Sequence, residues 1–196
     1  MELVLVRHGE TEWSRSRRHT GRTDLALTAS GRDQAVGLRP LLADLDPRRV
    51  LSSPLRRALQ TASLAGFGDH LVVDDRLAEW DYGEAEGLTT AELRERIPGW
   101  SVWTHDLDDG EALGDVAARV DSLLADLLAD ALPDRADGPG TSTILFAHAH
   151  LLRILAARWC GLAAAAGAHF VVDPASVSVL GFERETRCVL RWNQVA

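Results

Sequence analysis

The sequence predicts an α/β fold: a three-layer sandwich whose mostly parallel central sheet carries helices on both faces. Leu3–Val6 and Thr143–Ala147 are continuous apolar runs, the way strands buried on both faces read. Between and after them, short strand-like runs alternate with helical periodicity, the pattern of a parallel sheet covered on two sides. A length of 196 residues with 46% hydrophobic side chains suffices for one substantial core, so residues 1–196 are read as a single domain.

The elements follow in order. Leu3–Val6 forms the first strand, and the polar Arg7-His8-Gly9-Glu10 sits at its C-terminal end, where ligands bind in open α/β sheets. Thr28 caps a helix through Leu42, with Ala35, Leu38, Leu41 and Leu42 apolar. Val50–Ser52 is the second strand. Ser53 and Pro54 then suit the N-cap and first position of a helix that ends near Gly66. Leu71–Val73 is the third strand. Residues 76–88, rich in Glu, Asp and Gly, read as a functional loop. A short helix over Thr89–Arg96 stops at Pro98-Gly99, and Glu111–Leu132 is the longest helix. Asp134–Gly140 is a turn-rich linker. Thr143–Ala147 ends in His148-Ala149-His150, and Leu151–Cys160 is helical. Val177–Glu183 and Cys188–Trp192 form a terminal hairpin turning at Glu185-Thr186.

Composition excludes several classes of function. The net charge of −8 argues against nucleic acid as the main ligand. All 21 basic residues are Arg, which rules out a Walker A lysine and any Schiff-base lysine. A bias toward Ala, Arg, Gly and Leu accounts for the missing Lys. Cys160 and Cys188 form neither a C-x-x-C pair nor a disulfide framework. The N-terminus has no secretory pattern, and no apolar run approaches the ~20 residues that span a bilayer. The expected protein is cytoplasmic, without a membrane partner. No repeat or coiled-coil pattern speaks to its oligomeric state.

The chemistry-bearing residues fall at strand ends, a helix start and the acidic loop: His8, His148, Arg57 and Glu79. This set meets the needs of phosphoryl transfer without a cofactor or a metal. Arg7 and Arg57 can each offer a planar fork to the oxygens of a phosphomonoester. A neutral His8 can attack phosphorus and form a phosphohistidine. His148 can donate a hydrogen bond to an equatorial oxygen as charge builds there. Glu79, when protonated, can protonate the leaving alkoxide, and its carboxylate can then activate water. The expected partner is a small phosphorylated metabolite.

Arg7-His8-Gly9-Glu10-Thr11 resembles the RHGET signature of the histidine phosphatase superfamily, also called phosphoglycerate mutase-like. The likeness continues through His19-Thr20-Gly21-Arg22-Thr23-Asp24, Leu27-Thr28 and Gly31. It extends to Ser52-Ser53-Pro54-Leu55-Arg56-Arg57-Ala58 with Gln60-Thr61-Ala62, to Leu77-Ala78-Glu79-Trp80-Asp81-Tyr82-Gly83 with Glu86-Gly87, and to Phe146-Ala147-His148-Ala149. The resemblance implies the phosphoglycerate mutase-like fold, His8 as nucleophile, Glu79 as proton donor, and Arg7, Arg57 and His148 as the phosphate pocket. It also implies substrate contacts at Ser14, Thr20, Gly21 and Ala149. Two departures stand out. Ser14 occupies a position where mutase-like members often carry Asn, and Ala149 and His150 replace the usual glycine after the second histidine.

Several alternatives stay open from sequence. His148 and His150 have the alternate spacing of a metal pair, or His150 belongs to the following helix and faces elsewhere. Glu10 is a structural residue or a second acid, and Arg56 faces solvent or pairs with a carboxylate. Arg15, Arg17, Arg18, His19 and Arg22 form a solvated loop or a cap for a second anionic group, with Arg17 or Arg22 its core. Trp80, Trp100 and Trp103 wall a cleft or fill the core. Beside the mutases of the family it resembles, the short Gly87–Gly110 stretch and the short tail after Trp192 imply transfer to water, and the presence of both histidines, both arginines and the acid disfavours mere phosphate sensing. The motif strings resemble bacterial acid phosphatases and fungal sugar-bisphosphate phosphatases.

Overall fold

The computed structural model describes residues 1–130 and 142–196. Six strands form one sheet in the order β3-β2-β4-β1-β5-β6. They are β1 (Glu2–Arg7), β2 (Arg49–Ser52), β3 (Leu71–Val73), β4 (Ser142–Ala147), β5 (Val177–Glu183) and β6 (Thr186–Gln194). Strands β1 to β4 run parallel, while β5 lies antiparallel to β1 and β6 antiparallel to β5. The anticipated terminal hairpin is present and extends the far edge of the sheet.

The period of two in β1 divides the core. Leu3 and Leu5 pack with Leu145, Ala147, Leu123, Leu151, Leu155 and Trp159 on one face. Val4 and Val6 pack with Ile144, Phe146, Leu38, Leu42 and Ala62 on the other. Each face therefore holds its own apolar layer, and this alternation produces the three-layer arrangement.

Helices α1 (Glu12–Arg15), α2 (Ala29–Gly37), α3 (Arg39–Leu42), α4 (Arg56–Ala62), α5 (Thr90–Arg96), α6 (Leu113–Ala129) and α7 (Ala149–Trp159) fill the outer layers. Thr28 caps α2 as expected, its side chain accepting from the Gly31 N–H. The expected helix through Leu42 is divided, because Pro40 cannot donate to the α2 ladder and opens α3 instead. A second expectation is corrected at β2. Ser53 and Pro54 do not open α4, whose N-cap is Leu55. The Ser53 hydroxyl is drawn into the interior, where it accepts from the Leu55 N–H, and the chain bends through Pro54 and Leu55 before the helix begins. Gly66, at φ 101°, ends the turn that follows α4. The linker read over Asp134–Gly140 lies outside the described residues. Among the described residues no helix is long and apolar enough to cross a membrane.

One pairing places the site. β1 and β4 are neighbours in parallel register, with Val6 opposite Phe146 and Arg7 opposite Ala147. His8 and His148, each one residue further on, therefore emerge side by side although 140 positions separate them in the chain.

Candidate active site

The two imidazoles stand with ring centroids 5.1 Å apart. His8 is almost wholly buried, and its Nδ1 lies 2.7 Å from the Gly9 carbonyl oxygen. A carbonyl only accepts, so Nδ1 carries the proton and Nε2 keeps the lone pair. Burial, with the nearby Arg57 and Arg7 guanidinium groups, pushes the His8 imidazole well below its ordinary range. The ring is thus neutral and has its nucleophilic nitrogen set by the backbone. Gly9 is required here, since a Cβ would meet the Gly31 carbonyl oxygen at 2.3 Å.

Arg7 leaves β1 beside His8 and donates through NH1 to the Val172 carbonyl at 2.6 Å. Its Nε is buried and has no partner among the described residues. Burial lowers the guanidinium to about 10, which leaves it charged at neutral pH. An unsatisfied buried cationic donor beside a neutral imidazole is a receptor for an anion.

Arg57 and His148 form a layer behind these two. The Arg57 Nε donates to His148 Nδ1 at 3.1 Å, NH1 donates to the Thr23 carbonyl, and NH2 donates to the Thr20 and Gly21 carbonyls. Because Nδ1 of His148 accepts, its Nε2–H donates to Ser53 Oγ at 2.7 Å. Neither side chain lines the cleft above His8. The sequence reading gave both a direct hold on phosphate; here Arg57 instead fixes His148 and joins the 20–23 loop to the site. Gly21 likewise sits behind the cleft, where its carbonyl serves Arg57. Burial, Arg57 and His8 hold the His148 imidazole well below its usual value.

Glu79 lies in the cleft with His8 and is likewise buried. Its Oε1 accepts from the Trp80 and Leu151 N–H groups at 3.0 and 2.9 Å, and its Oε2 accepts from the His150 N–H at 3.1 Å. The first turn of α7 thus anchors the carboxyl group, while His148 is the N-cap of the same helix.

The cleft encloses about 630 Å³ and is also lined by Ser14, Thr20 and Ala149. The Ser14 hydroxyl donates to the Thr11 carbonyl and accepts from the Thr11 N–H in a capping box, so its proton is already engaged. The Thr20 hydroxyl donates to the Arg18 carbonyl.

His150 belongs to α7, yet it lines the cleft and does not face elsewhere. Its Nδ1 is 2.6 Å from the Tyr82 hydroxyl, and its ring stacks on His19 at 6.2 Å between centroids. Burial lowers both imidazoles, His19 to about 4. His19, read from sequence only as part of the loop-or-cap cluster, and Tyr82, assigned no role there, also line the cleft. Among the described residues no three His, Cys, Asp or Glu side chains are placed to hold a metal. Glu10 accepts from the Thr28 hydroxyl at 2.7 Å, the structural alternative. Arg56 is exposed. Arg17 and Arg18 line the cleft, whereas Arg15 pairs with Glu12 and Arg22 with Asp81. Trp80 is core, Trp103 walls the cleft, and Trp100 does both.

A parallel sheet that delivers a neutral imidazole and an unsatisfied guanidinium to one cleft, with a second neutral imidazole buried directly behind, defines a class of phosphate-handling α/β enzymes. The description of the histidine phosphatase superfamily (branch 1) matches residues 3–195, and the chain belongs to that family. An acid phosphatase of Mycobacterium tuberculosis is 43% identical over 94% of this chain and 88% of its own length. The sedoheptulose 1,7-bisphosphatase of Saccharomyces cerevisiae is 33% identical over 81% of this chain and 67% of its own. A solved structure of a Mycobacterium tuberculosis open reading frame product superposes with a TM-score of 0.90 at 41% identity, covering 99% of this chain and 97% of that one. A mycobacterial glucosyl-3-phosphoglycerate phosphatase, solved in complex with VO3, gives a TM-score of 0.85 at 33% identity, with 98% of each chain covered. The chain is a histidine phosphatase with the mostly parallel sheet and paired helical layers of these relatives.

Proposed function

We propose that this protein hydrolyses phosphomonoesters of small metabolites through a phosphohistidine on His8, with residues 1–196 acting as one catalytic domain and no metal required. One observation carries the reading: the neutral His8 imidazole, its Nε2 lone pair set by the Gly9 carbonyl, stands beside the unpartnered Arg7 Nε. The names of its relatives support phosphate esters, sugar phosphates among them, as the substrate class.

In the first step Nε2 attacks phosphorus, the ester P–O bond breaks, and the protonated Glu79 carboxyl transfers its proton to the departing alkoxide. Arg7 neutralises the phosphoryl oxygens. Arg57 and His148 hold the buried wall behind His8, and Arg57 adds positive charge where negative charge accumulates. In the second step the Glu79 carboxylate takes a proton from water. The resulting hydroxide attacks phosphorus, the P–N bond breaks, and phosphate leaves with His8 neutral again.

The test is release of inorganic phosphate from a panel of phosphorylated metabolites in EDTA, including 3-phosphoglycerate with a bisphosphoglycerate primer. We expect hydrolysis that survives chelation, acid-labile protein-bound phosphate on the wild type, and a loss of about 10³-fold or more for His8→Ala. Isomerisation of 3-phosphoglycerate faster than phosphate release, or full activity in His8→Ala, would overturn the reading.

A further inference from the structure

The geometry points to Trp192 and Asn193, at the end of β6, as positioning residues for Arg7: they clamp the 171–175 segment, whose Val172 carbonyl holds the Arg7 guanidinium. This rests on the reading that Arg7 and His8 receive the substrate phosphate.

The segment has no ladder of its own. Residues 171–173 belong to neither helix nor strand, and Pro174 and Ala175 turn the chain into β5. Val171, Val172, Asp173 and Pro174 line the cleft. On the site side, Arg7 NH1 donates to the Val172 carbonyl at 2.6 Å, and the Ala175 N–H donates to the His8 carbonyl at 3.1 Å. Ala175 stands at φ 51°, a left-handed backbone that a residue with a side chain adopts only under restraint. A carbonyl orders a guanidinium only if the carbonyl is itself held.

That hold comes from the sheet edge. The Trp192 indole N–H donates to the Val171 carbonyl at 2.6 Å, and its rings pack against Phe170 at 5.1 Å between centroids. Asn193 meets Asp173 at two points. Its Oδ1 accepts from the Asp173 N–H at 2.7 Å, and its Nδ2 donates to the Asp173 carboxylate at 2.8 Å. The residues on either side of Val172 are therefore both pinned to β6. The strand is shaped for this task. Its register against β5 shifts between Val177 and Leu180, and Asn193 adopts φ 55° with its own N–H given to the Ser178 hydroxyl at 2.9 Å. Irregularities of this kind re-aim a side chain beside a site, and Asn tolerates the left-handed backbone.

Charge gives Asp173 a reason to be there. A carboxylate lining a cleft that receives an anion is unfavourable in itself. Here Asn193 engages one of its oxygens, and its negative charge opposes the desolvation that lowers Arg7. With the clamp formed, Arg7 is ordered before phosphate arrives; without it, that ordering is charged to binding.

The experiment titrates the protein with inorganic phosphate by calorimetry and takes urea midpoints without phosphate. Asn193→Gly deletes the amide while suiting the backbone turn. Trp192→Phe deletes the indole N–H while keeping a ring against Phe170. The two act on different bonds, so either one serves if the other misfolds. Each should weaken phosphate about fivefold, the worth of one ordinary hydrogen bond, and the pair about tenfold or more. Asp173→Asn keeps an acceptor for Asn193 and should bind phosphate at least as tightly as the wild type, whereas Asp173→Ala should weaken it as Asn193→Gly does. Lowered urea midpoints with phosphate affinity unchanged in both N193G and W192F, or D173N as weak as D173A, overturn the positioning role alone. A wild type that binds no phosphate overturns the phosphate reading of Arg7 along with it.

Discussion

At His8, protonation state and reactivity are coupled. The imidazole must be neutral to attack, and burial with two neighbouring guanidinium groups holds its protonation well below the ordinary range. Its acid limb therefore lies well below pH 6.5. Replacing Arg57 by Gln removes one of the charges that depress it and moves the limb upward. Profiles of kcat/KM against pH for wild type and R57Q on one substrate check this, since the substrate's own ionisation near pH ~6 is common to both. Coincident limbs would count against the coupling. Glu79→Gln separates the acid role from the rest: esters with poor leaving groups should lose about 10²-fold or more, and aryl esters far less. Equal losses would remove Glu79 from that role. The types of these residues were readable in order along the chain, because strand ends and the acidic loop follow from pattern. Their second partners were not. The Gly9 carbonyl that sets the His8 tautomer and the Thr20, Gly21 and Thr23 carbonyls that hold Arg57 are backbone groups, and backbone groups carry no sequence signature.

Among the elements, strands read most clearly. Continuous apolar runs marked β1 and β4 to within a residue, and the alternating faces of β1 account for both halves of the core. Helix starts read less well where a polar side chain had a tertiary use. Ser53 has the sequence look of an N-cap, but its hydroxyl meets His148, and α4 opens only after Leu55. His150 misled for a related reason: once α7 begins at Ala149, strand alternation no longer governs which way the next side chain points. Helix α6 gives a test free of the chemistry. Leu123 is 1% exposed and packs in the same cluster as Leu151, Leu155 and Trp159 of α7. Leu123→Ala leaves helix propensity intact and should lower stability by about 2–5 kcal/mol, measured by urea unfolding, with turnover of the folded fraction unchanged. A shift well below 1 kcal/mol would show the site collapses or was loosely packed.

For the whole molecule, four histidines are held neutral, His8 and His148 buried and His19 and His150 half-buried, each lowered chiefly by desolvation. In the unfolded chain each protonates near pH ~6.5. Below that value the unfolded state binds more protons, so the stabilisation is complete above it and is lost as pH falls, for His19 down to about 4. Each histidine contributes a slope of up to about 1.4 kcal/mol per pH unit. Urea midpoints should therefore drop between pH 7.5 and 5.5, and replacing His19 by Gln should flatten the drop. A flat wild-type curve would contradict neutral burial. The in-register union of β1 with β4 has a consequence for biogenesis. A ribosome makes the second histidine's strand only 140 positions after the nucleophile's, so the nascent chain carries a bare apolar edge over Leu3–Val6 until β4 emerges. Catalytic competence then arrives late and all at once, and a truncated translation product should be inert and prone to self-association.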